Sequence, residues 1–365
     1  MRRVLLAVAT IMLAGVVPVP ASAAPAGPTL YVSNANSDNI SIFTITDTGD
    51  LVPLGDPVRT ADQPRSMVFS PDGDFLYVEN GDAHLVSTYK VDSGGGLTLL
   101  QKIKTAGYPF GIAISPTGDA VYVTNLDDEP TSVSAFTVRT DGTLKPAGDP
   151  VPVGDGKLSA RGVAVSADGR FVFVGTGEPF STVPGLLSTF EVRPDNTLEY
   201  RSKVPVGAGA LGIGVTPDGR FLYLACGVSD EIRPFKIGDN GQLTPLAVAL
   251  APDLPVSAEI SRDGRFVFVA SHGDATGPTR GVWVFKILTN GTLQSVGNSP
   301  TSAGGTPVWP ALTPDARHLY VTNEDTSGKV FGFDMSKTGV LTPLANSPFD
   351  ARGEFSMFQS VVVRG

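Results

Sequence analysis

The chain has 365 residues with 27 basic and 36 acidic side chains, a formal net charge of −9. No basic run exists that would neutralise phosphates, which argues against nucleic acid as a partner. With 42 glycines and 30 prolines and no sustained apolar spacing at three and four residues, the composition also excludes a mainly helical protein.

Residues 1–23 read as a secretory signal peptide. Arg2 and Arg3 supply the charged start, Val4 to Val19 the apolar middle and Ala21-Ser-Ala23 a small-residue cleavage site. The apolar stretch is broken by Gly15 and Pro18, is too short for a spanning helix and has no positive residues after it. The arginine pair is compatible with twin-arginine export, although such pairs open many ordinary signals. The expected mature protein is one domain, residues 24–365, secreted and monomeric, with 25 basic against 36 acidic residues.

From Phe69 onward a phrase recurs. Phe69-Ser-Pro-Asp-Gly-Asp-Phe-Leu-Tyr-Val-Glu-Asn80 is two apolar runs hinged by a tight turn. Proline presets the first turn dihedral, aspartate bonds back to the backbone and glycine accepts positive φ. The hinge returns as Ile114-Ser-Pro-Thr-Gly, Val165-Ser-Ala-Asp-Gly, Val215-Thr-Pro-Asp-Gly, Ile260-Ser-Arg-Asp-Gly and Leu312-Thr-Pro-Asp-Ala. A third strand in each unit carries Phe43, Tyr89, Phe136, Phe190, Phe235, Phe285 or Phe333, followed by a Gly-x-Leu turn such as Gly142-Thr-Leu144. One unit is therefore four strands: Ser66–Ser70, Phe75–Asn80, Leu85–Val91 and Leu97–Lys102. Four antiparallel strands at this period predict propeller blades.

The two ends set the count. The first unit, starting at Thr29, lacks an innermost strand, and Gln359-Ser-Val-Val-Val363 looks like an innermost strand with nothing after it. The tail is expected to pair beside the N-terminal strands and remove the open edge. The prediction is an all-β, seven-bladed β-propeller closed by its C-terminal strand.

Aligned innermost strands form columns. Val68, Ala113, Ala164, Gly214, Glu259, Ala311 and Val362 make one; Ser66, Gly111, Gly162, Gly212, Ser257, Trp309 and Ser360 another. Both are small because the blades converge at the axis. The column between, Met67, Ile112, Val163, Ile213, Ala258, Pro310 and Val361, is bulkier and expected to fill the wedge between blades.

Glu259 and Trp309 break the small-residue rule. Glu259 is a channel-mouth carboxylate, acting as base or ligand contact, or else a carboxylate wetted by axial water. Trp309 either stacks on a substrate ring or plugs the pore. His272 lies in a loop after a second strand, expected on the same face as Arg65, Arg161 and Glu259, and with a carboxylate it makes a plausible acid–base pair. Glu324 occupies the matching loop position of the last full blade, and His84 is a further candidate on that face. His318 falls within a strand and Cys226 at the end of an apolar one, so both read as structural. Asn34, Asn80, Asn125 and Asn323 share a strand-end position suited to bonding the backbone of the following loop. No metal-ligand spacing, nucleophile elbow or phosphate loop is present, and no cofactor is expected.

Val121-Tyr-Val-Thr-Asn125 and Leu319-Tyr-Val-Thr-Asn323, with the Asp-Gly hinges and Gly-x-Leu turns, resemble the YVTN-repeat propellers of the lactonase family. That family includes 6-phosphogluconolactonase-like and carboxymuconate-cyclising enzymes. The resemblance spans residues 29–365 and implies cofactor-free opening or closing of a lactone by Arg, His and Glu side chains. Where those lactonases carry Pro-Arg-His, this chain has Pro64-Arg65-Ser66; Arg161 stands in an equivalent arginine place, followed by Gly162. A hydrolase or isomerase acting on a lactone or small acid is one expectation, with Arg65 and Arg161 gripping a carboxylate and His272 or Glu259 moving the proton. The other is a binding module recognising a protein, glycan or small ligand without turnover.

Overall fold

A computed structural model describes residues 27–126, 130–155, 158–178, 180–250, 253–273, 279–297 and 299–365; the expected signal peptide lies outside them. Among these residues the only helices are two single 3₁₀ turns, and no helix is long and apolar enough to cross a membrane.

The strands form seven separate antiparallel sheets arranged as a closed ring. Each hinge builds an inner hairpin. In the second blade, Pro64–Phe69 pairs with Phe75–Asn80, then Leu85–Val91 and Leu97–Lys104. Between the first two, Gly73 N–H donates to Ser70 O (2.8 Å) at φ 74°. The Asp72 carboxylate accepts from Asp74 N–H at 3.0 Å, as the turn chemistry anticipated.

The first sheet in sequence is completed by both ends of the chain. Val361–Arg364 pairs antiparallel with Thr29–Val32, making the tail the innermost strand of the first blade. The same tail bonds both neighbouring blades. Met67 N–H donates to Gln359 O at 3.2 Å, and the Ser360 hydroxyl lies 2.8 Å from that of Thr322.

The core sits between blades. Met67, Ile112, Val163, Ile213, Ala258 and Val361 of the bulky column each enter a different buried cluster. Tyr77 and Val86 of the second blade, for instance, pack with Val121 and Phe136 of the third. Adjacent blades are also pinned by polar bonds. The hydroxyls of Tyr31, Tyr77, Tyr223 and Tyr320 donate to the carbonyls of Gly95, Gly142, Gly291 and Gly49, each in the Gly-x-Leu turn of the next blade. Tyr122 faces the one turn in which Asn196 replaces glycine, and its buried hydroxyl has no partner. Among the described residues, the side chains of the strand-end asparagines bond elsewhere than the following loop. Asn34 and Asn125 reach serines of the adjacent strand, and Asn80 and Asn323 reach carbonyls of the loop before their own blade's inner strand.

The small columns reflect direct backbone contact. A Cβ on Gly111, Gly162 or Gly214 would run into the carbonyl of Arg161, Leu211 or Ala258 in the next blade, and one on Gly212 would lie 2.6 Å from Ser257 Cα. Overpacking of this kind costs about 1–3 kcal/mol. Gly162→Ala is therefore expected to lower the unfolding free energy, read from urea denaturation, by that amount. Gly175→Ala, whose added Cβ meets nothing nearer than 3.5 Å, should leave it within about 0.5 kcal/mol.

Candidate active site

Two sequence columns meet at one end of the axis. The residues that begin the inner strands, one place before the small column, include Arg65, Phe110, Arg161, Leu211, Val256 and Val308. The loops after the second strands contribute Gly227, His272 and Glu324. Together with Met357 and Phe358 of the tail they line a cavity of about 210 Å³. Hydroxyls of the preceding blade hold its floor. Ser33 donates to Arg65 O (2.6 Å), Ser66 to Phe110 O (2.8 Å) and Thr124 to Arg161 O (2.7 Å).

Both arginines are more than nine-tenths buried, which is tolerated only where a charge finds partners. Their guanidinium carbons lie 5.0 and 4.9 Å from the centre of the Phe110 ring, within cation–π reach. Arg65 also stands over Tyr108, 5.2 Å away, and its Nε donates to Met357 Sδ at 3.0 Å. Arg161 Nε donates to Gly177 O at 2.8 Å, and its Nη2 lies 3.7 Å from Glu178 Oε2. Burial lowers both guanidinium pKa values, that of Arg161 to about 10, so both stay charged near neutrality. Burial works against ionised Glu178, but hydrogen bonds from Ser159 and the charge of Arg161 hold its carboxyl below the usual range.

Across the cavity, His272 Nε2 lies 3.8 Å from Glu324 Oε2 and has no hydrogen-bond partner. Burial, helped by Arg280, drops the His272 pKa to about 4, so the imidazole is neutral and the contact is not an ion pair at neutral pH. Burial pushes Glu324 up, with Arg65 offsetting part of the effect. A neutral base, a reluctant carboxylate and two fixed cations around an apolar space are suited to hold an anionic or developing oxyanion group and to move one proton.

Four sequence candidates thus come together: Arg65, Arg161, His272 and Glu324. His84 is a step removed, its ring edge-on to Tyr108 at 5.8 Å. Glu259 and Trp309 are not in this cavity. Both line a second one elsewhere along the axis, which corrects the expectation that Glu259 shares the mouth with the arginines. Arg65 is the second residue of its strand, and Glu259 aligns with Val68, three residues further on, ~10 Å along an extended chain. His318 is buried at the start of a strand, 3.0 Å from Asp334, and burial raises the Cys226 thiol to about 12; neither lines the cavity.

Several residues escaped sequence reading. Phe110, Leu211, Val256 and Val308 belong to the column that also contains Arg65 and Arg161, so the column itself was the available signal. Glu178 sits in an acidic loop position shared with Asp82 and Asp325 and gave none. Glu79 replaces the threonine of the Tyr-Val-Thr-Asn phrase and was visible as a misfit. It is fully buried, and neither carboxyl oxygen has a well-formed hydrogen bond. Burial raises its pKa to about 8, with Ser66 and Arg65 offsetting this only in part.

Comparison with known proteins agrees with this architecture. The family model described as "Lactonase, 7-bladed beta-propeller" matches residues 21–108. A 6-phosphogluconolactonase of Yersinia pseudotuberculosis is 28% identical over 283 residues, covering 72% of this chain and 77% of the relative. The chain is thus similar to the lactonase propellers. The fold of the periplasmic gluconolactonase of Pseudomonas aeruginosa superposes with a TM-score of 0.76 at 23% identity, over 92% of this chain and 98% of that one. A Lactobacillus plantarum protein does so with a TM-score of 0.74 at 19% identity, over 93% and 98%.

In this propeller Glu79 binds its proton more tightly in the fold than in the unfolded chain. Its contribution therefore favours folding below about pH 4.5 and is lost as the pH rises to about 8. Each tenfold change in proton affinity is worth about 1.4 kcal/mol, so the loss is on the order of a few kcal/mol. Glu79→Gln should flatten the stability profile between those limits and raise the melting temperature at pH 8, measured by thermal denaturation.

Proposed function

We propose that the protein is an exported hydrolase that opens a small sugar-acid lactone in the cavity formed by Arg65, Arg161, His272 and Glu324. The observation that carries the reading is two buried, charged guanidiniums facing a neutral histidine whose Nε2 is unpartnered. The lactonases among its relatives and the apolar leader at residues 1–23 support both halves of it, as does the periplasmic gluconolactonase with the same fold.

In this reading a water beside His272 Nε2 attacks the lactone carbonyl carbon and gives its proton to the imidazole. The carbonyl oxygen takes the negative charge and is stabilised by the Arg161 and Arg65 guanidiniums, which are fixed before substrate arrives. The ring C–O bond then breaks, and the departing alkoxide takes the proton back from the imidazolium, an easy donor because burial makes it acidic. The product is an open-chain hydroxy acid, and its carboxylate leaves from between two arginines. Glu324, held toward its protonated form, limits repulsion of that carboxylate. No residue outside the cavity, Glu259 included, is needed.

One departure favours a second reading. The Ser66 hydroxyl, at the place where the lactonases have histidine, is committed to the Phe110 and Phe358 carbonyls and has no part in proton transfer. Without turnover, the same cavity would serve as a receptor for a small acid outside the cell.

The test is pH-stat hydrolysis of glucono-δ-lactone, 6-phosphogluconolactone and a neutral aliphatic lactone by the mature protein. Arg161→Ala and His272→Ala are each expected to lower kcat/KM at least about 100-fold, in the range lost with an oxyanion donor or a general base. The wild-type profile should fall on the acid side as His272 protonates near pH 4. Unchanged rates in both variants would overturn the assignment. Thermal stabilisation by gluconate without any turnover would select the receptor.

A further inference from the structure

A second cavity, of about 360 Å³, lies on the axis and shares no lining residue with the first. Phe358 lines one and Trp309 the other, and their rings meet edge-on with centroids 4.6 Å apart. This aromatic pair partitions the passage. The second cavity is walled by Met67, Phe69, Ile260, Trp309, Leu312 and Val363. Glu259 and Arg262 are the two charged side chains of its lining, and Arg262 is turned out to solvent.

The Glu259 backbone pairs with Phe268, but among the described residues no hydrogen bond or ion pair engages its carboxylate. The strands packed against it, Ala210–Val215, Phe266–Ser271 and Pro307–Leu312, carry no titratable side chain. The six equivalent blades place Val, Ala or Gly at this position, so neither hairpin geometry nor packing asks for a carboxylate. An uncompensated carboxylate in a lining whose only other polar side chains are Arg262, Thr313 and Gln359 is costly, and the cost is relieved by a counter-charge brought in from outside.

We propose that this cavity is a second binding site, for an organic monocation: an ammonium group paired with Glu259 and carried on a small apolar body seated against Trp309 and its aliphatic neighbours. The volume suits a small molecule, and an aromatic wall beside a carboxylate is the surface that desolvated ammonium groups favour. A divalent metal is a poorer occupant, because calcium requires six to eight oxygen ligands and the described residues hold no group of three metal-binding side chains. An anion would meet the carboxylate unshielded, since Arg262 stands in solvent. The site is independent of lactone chemistry and stands whether or not the other cavity turns substrate over.

Burial alone raises the Glu259 carboxyl to about 7, so a bound cation competes with a proton. Isothermal titration with benzylammonium chloride, using benzyl alcohol and potassium chloride as controls, reads this directly. Benzylammonium is expected to bind about tenfold more tightly at pH 8 than at pH 6, and Glu259→Gln should weaken binding at pH 8 at least tenfold and remove the pH dependence. Neither control should bind. The wild-type pH comparison tests the pairing even if the variant folds poorly. Equal binding of benzyl alcohol and benzylammonium, benzylammonium binding that ignores both pH and Glu259→Gln, or no uptake of benzyl-, propyl- or trimethylammonium at pH 8 would each overturn the proposal.

Discussion

Everything in this molecule follows from how closely seven inner strands approach one axis. Gly111, Gly162 and Gly214 lie so close to carbonyls of the next blade that a methyl group has no room. At that separation the hydroxyls of Ser33, Ser66 and Thr124 bridge to the carbonyls of Arg65, Phe110 and Arg161. The same contact that closes the ring therefore fixes the backbone from which the two arginines project. The tail completes the constraint by bonding three blades at once, and it also delivers Met357 and Phe358 to the cavity wall. Closure and site construction are one event.

The electrostatics of the mouth follow from burial. Two guanidiniums cannot shed their charge at neutral pH, whereas the Glu79 carboxyl near Arg65 can. Glu79 is held protonated to about pH 8, and Glu324 is pushed in the same direction. Arg161 keeps an ionised partner, Glu178, at 3.7 Å, while Arg65 feels the more distant carboxyls of Glu79, Glu324 and Asp82 and leans on Tyr108 and Phe110. The cavity thus gathers two buried cations inside a protein whose overall charge is negative. That pair of cations is what a small acid or a developing oxyanion would recognise, and fixed charges in a low-dielectric pocket act more strongly than the same groups in water.

Departures from the repeat proved more informative than the repeat. Where a column of small residues is interrupted by Glu79, Glu259 or Trp309, the side chain has no counterpart to explain it, and each interruption lies at a cavity or at an inter-blade joint. Arg65, Arg161, His272 and Glu324 were legible for the same reason, as titratable residues in columns otherwise mostly glycine or apolar. Glu259 was assigned to the wrong cavity because a repeat alignment reports which blade a residue occupies more readily than how far along the axis it sits. Glu178 was not legible, because an acidic residue in an acidic loop position carries no contrast.

The residues by themselves determined the number of blades, the hinges and the closure by the tail, since turn chemistry and strand alternation are local and repeat seven times. They also determined which columns would be small, because contact at an axis excludes side chains whatever their neighbours. Only the tertiary structure decided that the passage is split by Trp309 and Phe358, that His272 meets Glu324, and which carboxyls keep their protons. Those outcomes depend on distances between blades far apart in sequence and on how much water each group loses, and neither quantity is written in any single stretch of the chain.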